Sequence, residues 1–226
     1  KVRRWLAGDA MRREMQNMLF NSTQTNTLFH AFLDAISTHG RSTVLVEDMR
    51  QVEETYGELL KKSLALGRLA TKITSPNENV GVLMPNVTNT ICLIFGLSAF
   101  GRIPAMLNYT AGSAGIQNAC TAACVKTIIS SREFIQTAKL EETITGLQEV
   151  TIVYLEDLRA QFSWLDKLWL MGFALWLPRL VAARTNPYHP AVVLFTSGSE
   201  GKPKGVVHSH SSILANIAQI KSIIDF

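Results

Sequence analysis

The sequence predicts an α/β domain with a mostly parallel sheet flanked by helices. Three observations predict it. Helical and strand-like segments alternate along the 226 residues. The strand-like segments are short apolar runs that lack a two-residue alternation, so both faces of the sheet are expected to be covered. Apolar residues make up 47% of the chain, enough for a packed core and against disorder.

The elements follow in order. Residues 1–20 set Val2, Trp5, Leu6, Met11, Met15, Met18 and Leu19 at helical spacing among Arg3, Arg4, Arg12 and Arg13. This pattern is a basic amphipathic helix, packed on a neighbouring domain or lying on a membrane surface. The polar run NSTQTNT (21–27) is a linker with a domain boundary near it. TLFHAFLDAISTHG (27–40) is a helix closed by Gly40, and STVLVEDM (42–49) a strand. Thr55 and Glu58 have capping-box spacing ahead of LLKKSLALGRLATKI, a helix ending near Ser75 and Pro76. NVGVLMPN (79–86) is a strand ending in Pro-Asn, and TNTICLIFGLSAFG (88–101) a buried helix with a glycine stop. RIPAMLN (102–108) is strand-like and GSAGIQNACTAAC (112–124) helical. VKTIISS (125–131), EVTIVYLEDL (149–158) and AVVLF (191–195) supply further strands. Ligands of such sheets bind beyond the carboxyl ends of strands, where the loop after AVVLF falls.

SWLDKLWLMGFALWLPRLVAAR (163–184) breaks the alternation. It holds three of the four tryptophans and is uninterrupted apolar over 168–177. That run is shorter than the roughly 20 residues a bilayer span needs. It suits a membrane interface, with Trp at headgroup level and Lys167, Arg179 and Arg184 outside, and equally a core or lid helix. It would also serve as a wall for an acyl chain.

The net charge of +4 fits an anionic ligand or a membrane surface. Zinc-finger spacing, RNP-type motifs and arginine-rich arms are missing, so no nucleic-acid partner is expected. Cys92, Cys120 and Cys124 are odd in number and sit among apolar or small residues, which indicates a reducing compartment. Cys120 and Cys124, four apart on an expected helix, read as core thiols rather than a metal pair. The start KVRRWLAGDA has no signal-peptide layout and no methionine, and IAQIKSIIDF stops in mid-pattern. The chain is therefore expected to be a piece of a longer protein.

The richest stretch is LFTSGSEGKPKGVVHSH (194–210). It is not a Walker A loop, because Gly201 and Lys202 are followed by Pro203 and no glycine stands five residues earlier. The dinucleotide fingerprint fails too, because Gly198, Gly201 and Gly205 have the wrong spacing and no helix opens after them. It still suits an anion. Glycines at positive φ would let successive N–H groups converge, Thr196, Ser197 and Ser199 offer hydroxyls, and Lys202 and Lys204 add charge. Pro203 would stiffen the loop. By composition alone, an anion loop and a mobile surface turn fit equally well.

The order of residues goes further. TSGSEGKPKG, framed by LF and VVHSH, resembles the signature loop of the adenylate-forming (AMP-binding) superfamily, which includes acyl-CoA synthetases, adenylation domains and luciferase. Glu200 stands where threonine is more frequent, and His210 matches the family's histidine after the loop. TYGELLKKSLALGRLA, VGVLMPNVTNTICLIFGLSAFGRIPAMLNYT and VKTIISS extend the resemblance over roughly residues 50–226. Within the superfamily, MLNYTAG and the stretch from the loop to Phe226 are most similar to bacterial bifunctional enzymes. These join a 2-acylglycerophosphoethanolamine acyltransferase domain to an acyl-[acyl carrier protein] synthetase domain.

The resemblance implies that residues 1–27 end a preceding acyltransferase domain. Residues 28–226 would be the incomplete N-terminal subdomain of an AMP-binding domain, cut after the phosphate loop. It implies activation of a fatty acid by ATP with Mg2+ to an acyl-adenylate, then transfer to acyl carrier protein, in a parent protein that also reacylates the lysophospholipid. That parent would lie at the cytoplasmic face of the bacterial inner membrane, with the membrane surface as a partner. Thr196, Ser197, Gly198, Ser199, Glu200, Gly201, Lys202, Pro203, Lys204 and Gly205 would surround the β- and γ-phosphates, with Thr196 an indirect Mg2+ contact. The family's adenine, ribose, hinge and C-terminal lysine motifs fall outside 1–226, so no catalytic residue is expected in this chain and it is expected to be inactive alone. An acyltransferase H-x-x-x-x-D pair is not present, since Asp34 follows His30 by only four residues. The alternatives are a membrane-docked α/β interaction module and an acyl-CoA synthetase for another carboxylic acid.

Overall fold

The computed structural model describes residues 26–47, 53–197 and 203–223. The helix expected over 1–20 and most of the linker after it lie outside them. In chain order the elements are α1 (Leu28–His39), β1 (Val44–Glu47), β2 (Glu53–Thr55), α2 (Tyr56–Ala70), β3 (Asn79–Val82), α3 (Thr88–Ala99), β4 (Ile103–Met106), α4 (Gly112–Ala122) and β5 (Thr127–Ser130). Then come α5 (Arg132–Thr137), α6 (Glu141–Thr145), β6 (Thr151–Tyr154), α7 (Leu155–Ala160), α8 (Trp164–Trp169), a π turn (Leu170–Ala174), α9 (Pro178–Val181), β7 (Pro190–Ser197), β8 (Pro203–Ser209) and α10 (His210–Ile223).

Local chemistry starts and stops the helices. The Thr27 hydroxyl accepts from the His30 N–H at the head of α1, and Gly40 ends that helix at φ 87°, a conformation open to glycine. Thr55 and Glu58 form the reciprocal capping box of α2.

The main sheet has the order β6-β5-β3-β4-β7-β8. Its neighbours are parallel from β6 to β7, and β8 closes the edge antiparallel to β7. Both faces are covered, as the unalternating strands require. One core joins Val80, Val82 and Ile129 of the sheet to α1, α2, α3, α7 and the π turn. The other joins Ala105, Ile128 and Val193 to Ile116, Ala119 and Cys120 of α4 and Ile135 of α5. The architecture is thus α/β, with a mostly parallel sheet between helical layers.

α2 and α3 touch backbone to backbone. A Cβ on Gly67 would come 2.5 Å from the Gly96 carbonyl oxygen, and one on Gly96 would come 2.5 Å from that of Ser63. Only hydrogen fits at this crossing.

Several expectations need correction. Among the described residues of STVLVEDM the strand is the four-residue β1, which pairs with β2 in a separate antiparallel ladder and is largely exposed. EVTIVYLEDL is β6 followed at once by α7. Cys124 lies beyond α4 at φ 51° and is exposed, so it is no core thiol, whereas Cys120 is buried. The segment 163–184 is two short helices joined by a π turn.

Candidate functional site

β7 is the hinge between the sheet and the glycine-rich loop. It runs parallel to β4 through the pair Ala105 and Val193, so its carboxyl end opens at the same edge as those of β3, β4, β5 and β6. β8 returns along it with Phe195 opposite Gly205, Thr196 opposite Lys204 and Ser197 opposite Pro203.

The expected loop of 196–205 is therefore narrower. Thr196 and Ser197 finish one strand, and Pro203, Lys204 and Gly205 begin the next. Gly198, Ser199, Glu200, Gly201 and Lys202 lie outside the described residues. Gly205 is not among the positive-φ glycines: it is an extended strand residue whose Cβ position lies 3.4 Å from Val193 Cγ1. Pro203 stands first in an edge strand, where its missing N–H costs no ladder bond.

The register brings Thr196 and Lys204 together as an exposed cross-strand pair at the mouth of the hairpin. Among the described residues no carboxylate pairs with Lys204. A hydroxyl and an ammonium side by side suit an anion, and a phosphate chain fits this donor set.

His210 sits apart from that pair. It opens α10 and is buried, and its Nδ1 accepts the Leu28 N–H at 3.2 Å. Burial, with His189 and His30 nearby, pulls its pKa down to about 4, so the ring is neutral and ties the head of α1 to the head of α10. His30 and Asp34 do not form a dyad. The His30 Nδ1 lies 2.8 Å from the Thr27 hydroxyl, while the Asp34 carboxylate accepts from Asn26 and Arg179. Burial pushes the Cys92 and Cys120 thiols up to about 11, which leaves neither a ready nucleophile. Among the described residues no group of three or more His, Cys, Asp and Glu is placed to hold a metal.

Motif reading missed a second concavity. The strand order reverses at β3, with β4 on one side and β5 on the other. A crevice of about 500 Å³ lies there, lined by Pro85 and Thr88 after β3, Ser131 and Phe134 after β5, and Glu156 and Arg159 of α7. Two atoms of lining residues, Glu54 Oε2 and Thr88 Oγ1, are buried and have no hydrogen-bond partner among the described residues. The Pro-Asn end of NVGVLMPN was the available signal.

Comparison with known proteins agrees with this geometry. The chain is 26% identical over 177 residues to acetyl-coenzyme A synthetase 1 of Debaryomyces hansenii, covering 73% of this chain and 26% of that one. It is 26% identical over 204 residues to nonribosomal peptide synthetase 30 of Fusarium vanettenii, covering 85% of this chain and 3% of that one. It thus spans about a quarter or less of the length of these relatives. The structure of VinN with L-aspartate superposes with a TM-score of 0.70 at 22% identity, over 90% of this chain and 49% of that one. The AMP-binding enzyme family model matches residues 32–226, hairpin included, and the chain belongs to that family.

Proposed function

We propose that this chain supplies the ATP-phosphate grip of an enzyme that joins a carboxylic acid to AMP and passes the acyl group to a thiol. One observation carries the reading. The exposed Thr196 and Lys204 face each other at the mouth of a hairpin, at the carboxyl edge of a parallel sheet, within TSGSEGKPKG. The physical task is to bring a carboxylate to a phosphate, two anions that repel. Lys204 offsets the phosphate charge and the Thr196 hydroxyl orients an oxygen, so the cost of that approach falls. Mg2+ arriving with ATP would supply further positive charge, and Thr196 is the residue we assign to indirect contact with it.

The finer reading is a fatty acid as substrate and acyl carrier protein as thiol acceptor. MLNYTAG and the run from the loop through KSIIDF support it by their similarity to bifunctional acyltransferase/synthetases. On the same ground residues 1–27 are the end of a preceding acyltransferase domain, and the parent protein reacylates 2-acylglycerophosphoethanolamine at the cytoplasmic face of the inner membrane.

The test is pyrophosphate exchange into ATP by the full-length protein with acids of increasing chain length, followed by acyl transfer to acyl carrier protein or to coenzyme A. Exchange that needs a fatty acid, with transfer to the carrier protein, is expected. Equal exchange with acetate or amino acids would overturn the fatty-acid reading. Transfer only to coenzyme A would overturn the acceptor, and no exchange with any acid would overturn adenylation itself.

A further inference from the structure

We propose that residues 163–180 form a docking face for the surface of an anionic lipid bilayer. The proposal rests on this segment alone and not on the nucleotide hairpin.

The pattern of burial is the first observation. Asp166, Leu170 and Ala174 point into the protein. The opposite side of the same turns carries Trp164, Leu165, Leu168, Met171, Phe173 and Trp176, all exposed, with Trp164 at 70% and Trp176 at 74%. An ordinary surface helix is polar on its outer face, and a contiguous apolar patch marks a contact surface.

Two polar groups at one end of the patch are already satisfied within the protein. The Trp176 indole N–H donates to the Met171 carbonyl at 3.0 Å, and Arg41 Nη2 donates to the Leu175 carbonyl at 2.6 Å. Trp176 can therefore enter an apolar medium without stranding its donor. Beside it a recess of about 430 Å³, lined by Leu33, Ile36, Leu177 and Leu180 together with Arg41 and Arg179, adds apolar surface next to cationic groups.

Charge identifies the occupant. Lys167 and Arg179 are exposed along the segment and Arg184 just beyond it, with Arg179 in an ion pair with the exposed Asp34. Its one acid, Asp166, is buried and held by Arg68 and Lys72, at 2.7 and 2.6 Å. Residues 1–20 carry Lys1, Arg3, Arg4, Arg12 and Arg13 against Asp9 and Glu14, so their net charge has the same sign and disfavours them as the cover. A bilayer with anionic headgroups offers both what the tryptophans need and what the basic residues need. Among the described residues no helix is long and apolar enough to cross a membrane, so the segment lies on the surface and does not span it.

The test is amide hydrogen exchange of the full-length protein alone, with phosphatidylcholine vesicles, and with vesicles of phosphatidylcholine and phosphatidylglycerol in equal amounts. Exchange over 163–180 is expected to slow with the mixed vesicles and to stay unchanged with phosphatidylcholine. Trp164→Ser combined with Trp176→Ser is expected to weaken partitioning onto mixed vesicles about tenfold or more, with thermal stability and pyrophosphate exchange retained. The proposal is overturned if vesicles leave exchange over 163–180 unchanged, or if the variant partitions like the wild type. It is equally overturned if the segment is fully protected before vesicles are added, which would mean that another part of the protein covers it.

Discussion

His210 shows how a single buried ring couples stability to pH. Its Nδ1 must stay unprotonated to accept from Leu28, and burial holds its pKa at about 4 instead of 6.5. The unfolded chain therefore binds a proton that the folded chain refuses between those values. Stability from this group is complete above pH 6.5, declines as the pH falls toward 4, and changes no further below that. Glutamine at this position keeps an acceptor but does not titrate. Denaturant unfolding of wild type and His210→Gln should diverge across that window, with the wild type losing on the order of 3 kcal/mol more. Parallel pH profiles would remove this role. At the same scale, capping residues were legible in the sequence because their spacing is itself the mechanism, as Thr55 and Glu58 show. The burial of His210 was not legible, because its contact with Leu28 joins positions 182 apart in the chain.

Elements were read well where a pattern and a stop coincided. α1 ends at Gly40, and α3 ends just before Gly101, as a periodic run followed by glycine predicts. The strand expected over EVTIVYLEDL was cut short because α7 starts directly after Tyr154 with no capping side chain. The acids Glu156 and Asp157, favourable in a first helical turn, mark that helix start in the sequence. The crossing of α2 and α3 was invisible in the sequence, since neither Gly67 nor Gly96 breaks the pattern of its own helix. It makes a sharp prediction. Gly96→Ala places a methyl group against the Ser63 carbonyl and should destabilise the fold by about 1–3 kcal/mol, read as a lower Tm, although alanine is the better helix former. An unchanged or higher Tm would mean that the helices separate freely.

At the scale of the whole molecule, the doubly covered parallel sheet was legible because its strands lack alternation. The position of the anion loop was legible because such sheets bind at their carboxyl ends. The hairpin that presents the loop was not: β8 reads in sequence as part of a polar, glycine-rich run, and only pairing with β7 sets Lys204 opposite Thr196. The crevice at the strand-order reversal was also beyond sequence reading, because it is assembled from the ends of several elements. The central claim is that this hairpin holds the phosphates of ATP. The most direct measurement is the rate of acid-dependent pyrophosphate exchange by the full-length protein carrying Lys204→Ala, with its Tm checked against wild type. A loss of about 100-fold at unchanged Tm is predicted. Exchange within twofold of wild type would contradict the account, a margin set by the roughly 100-fold loss expected when a charge-stabilising group is removed.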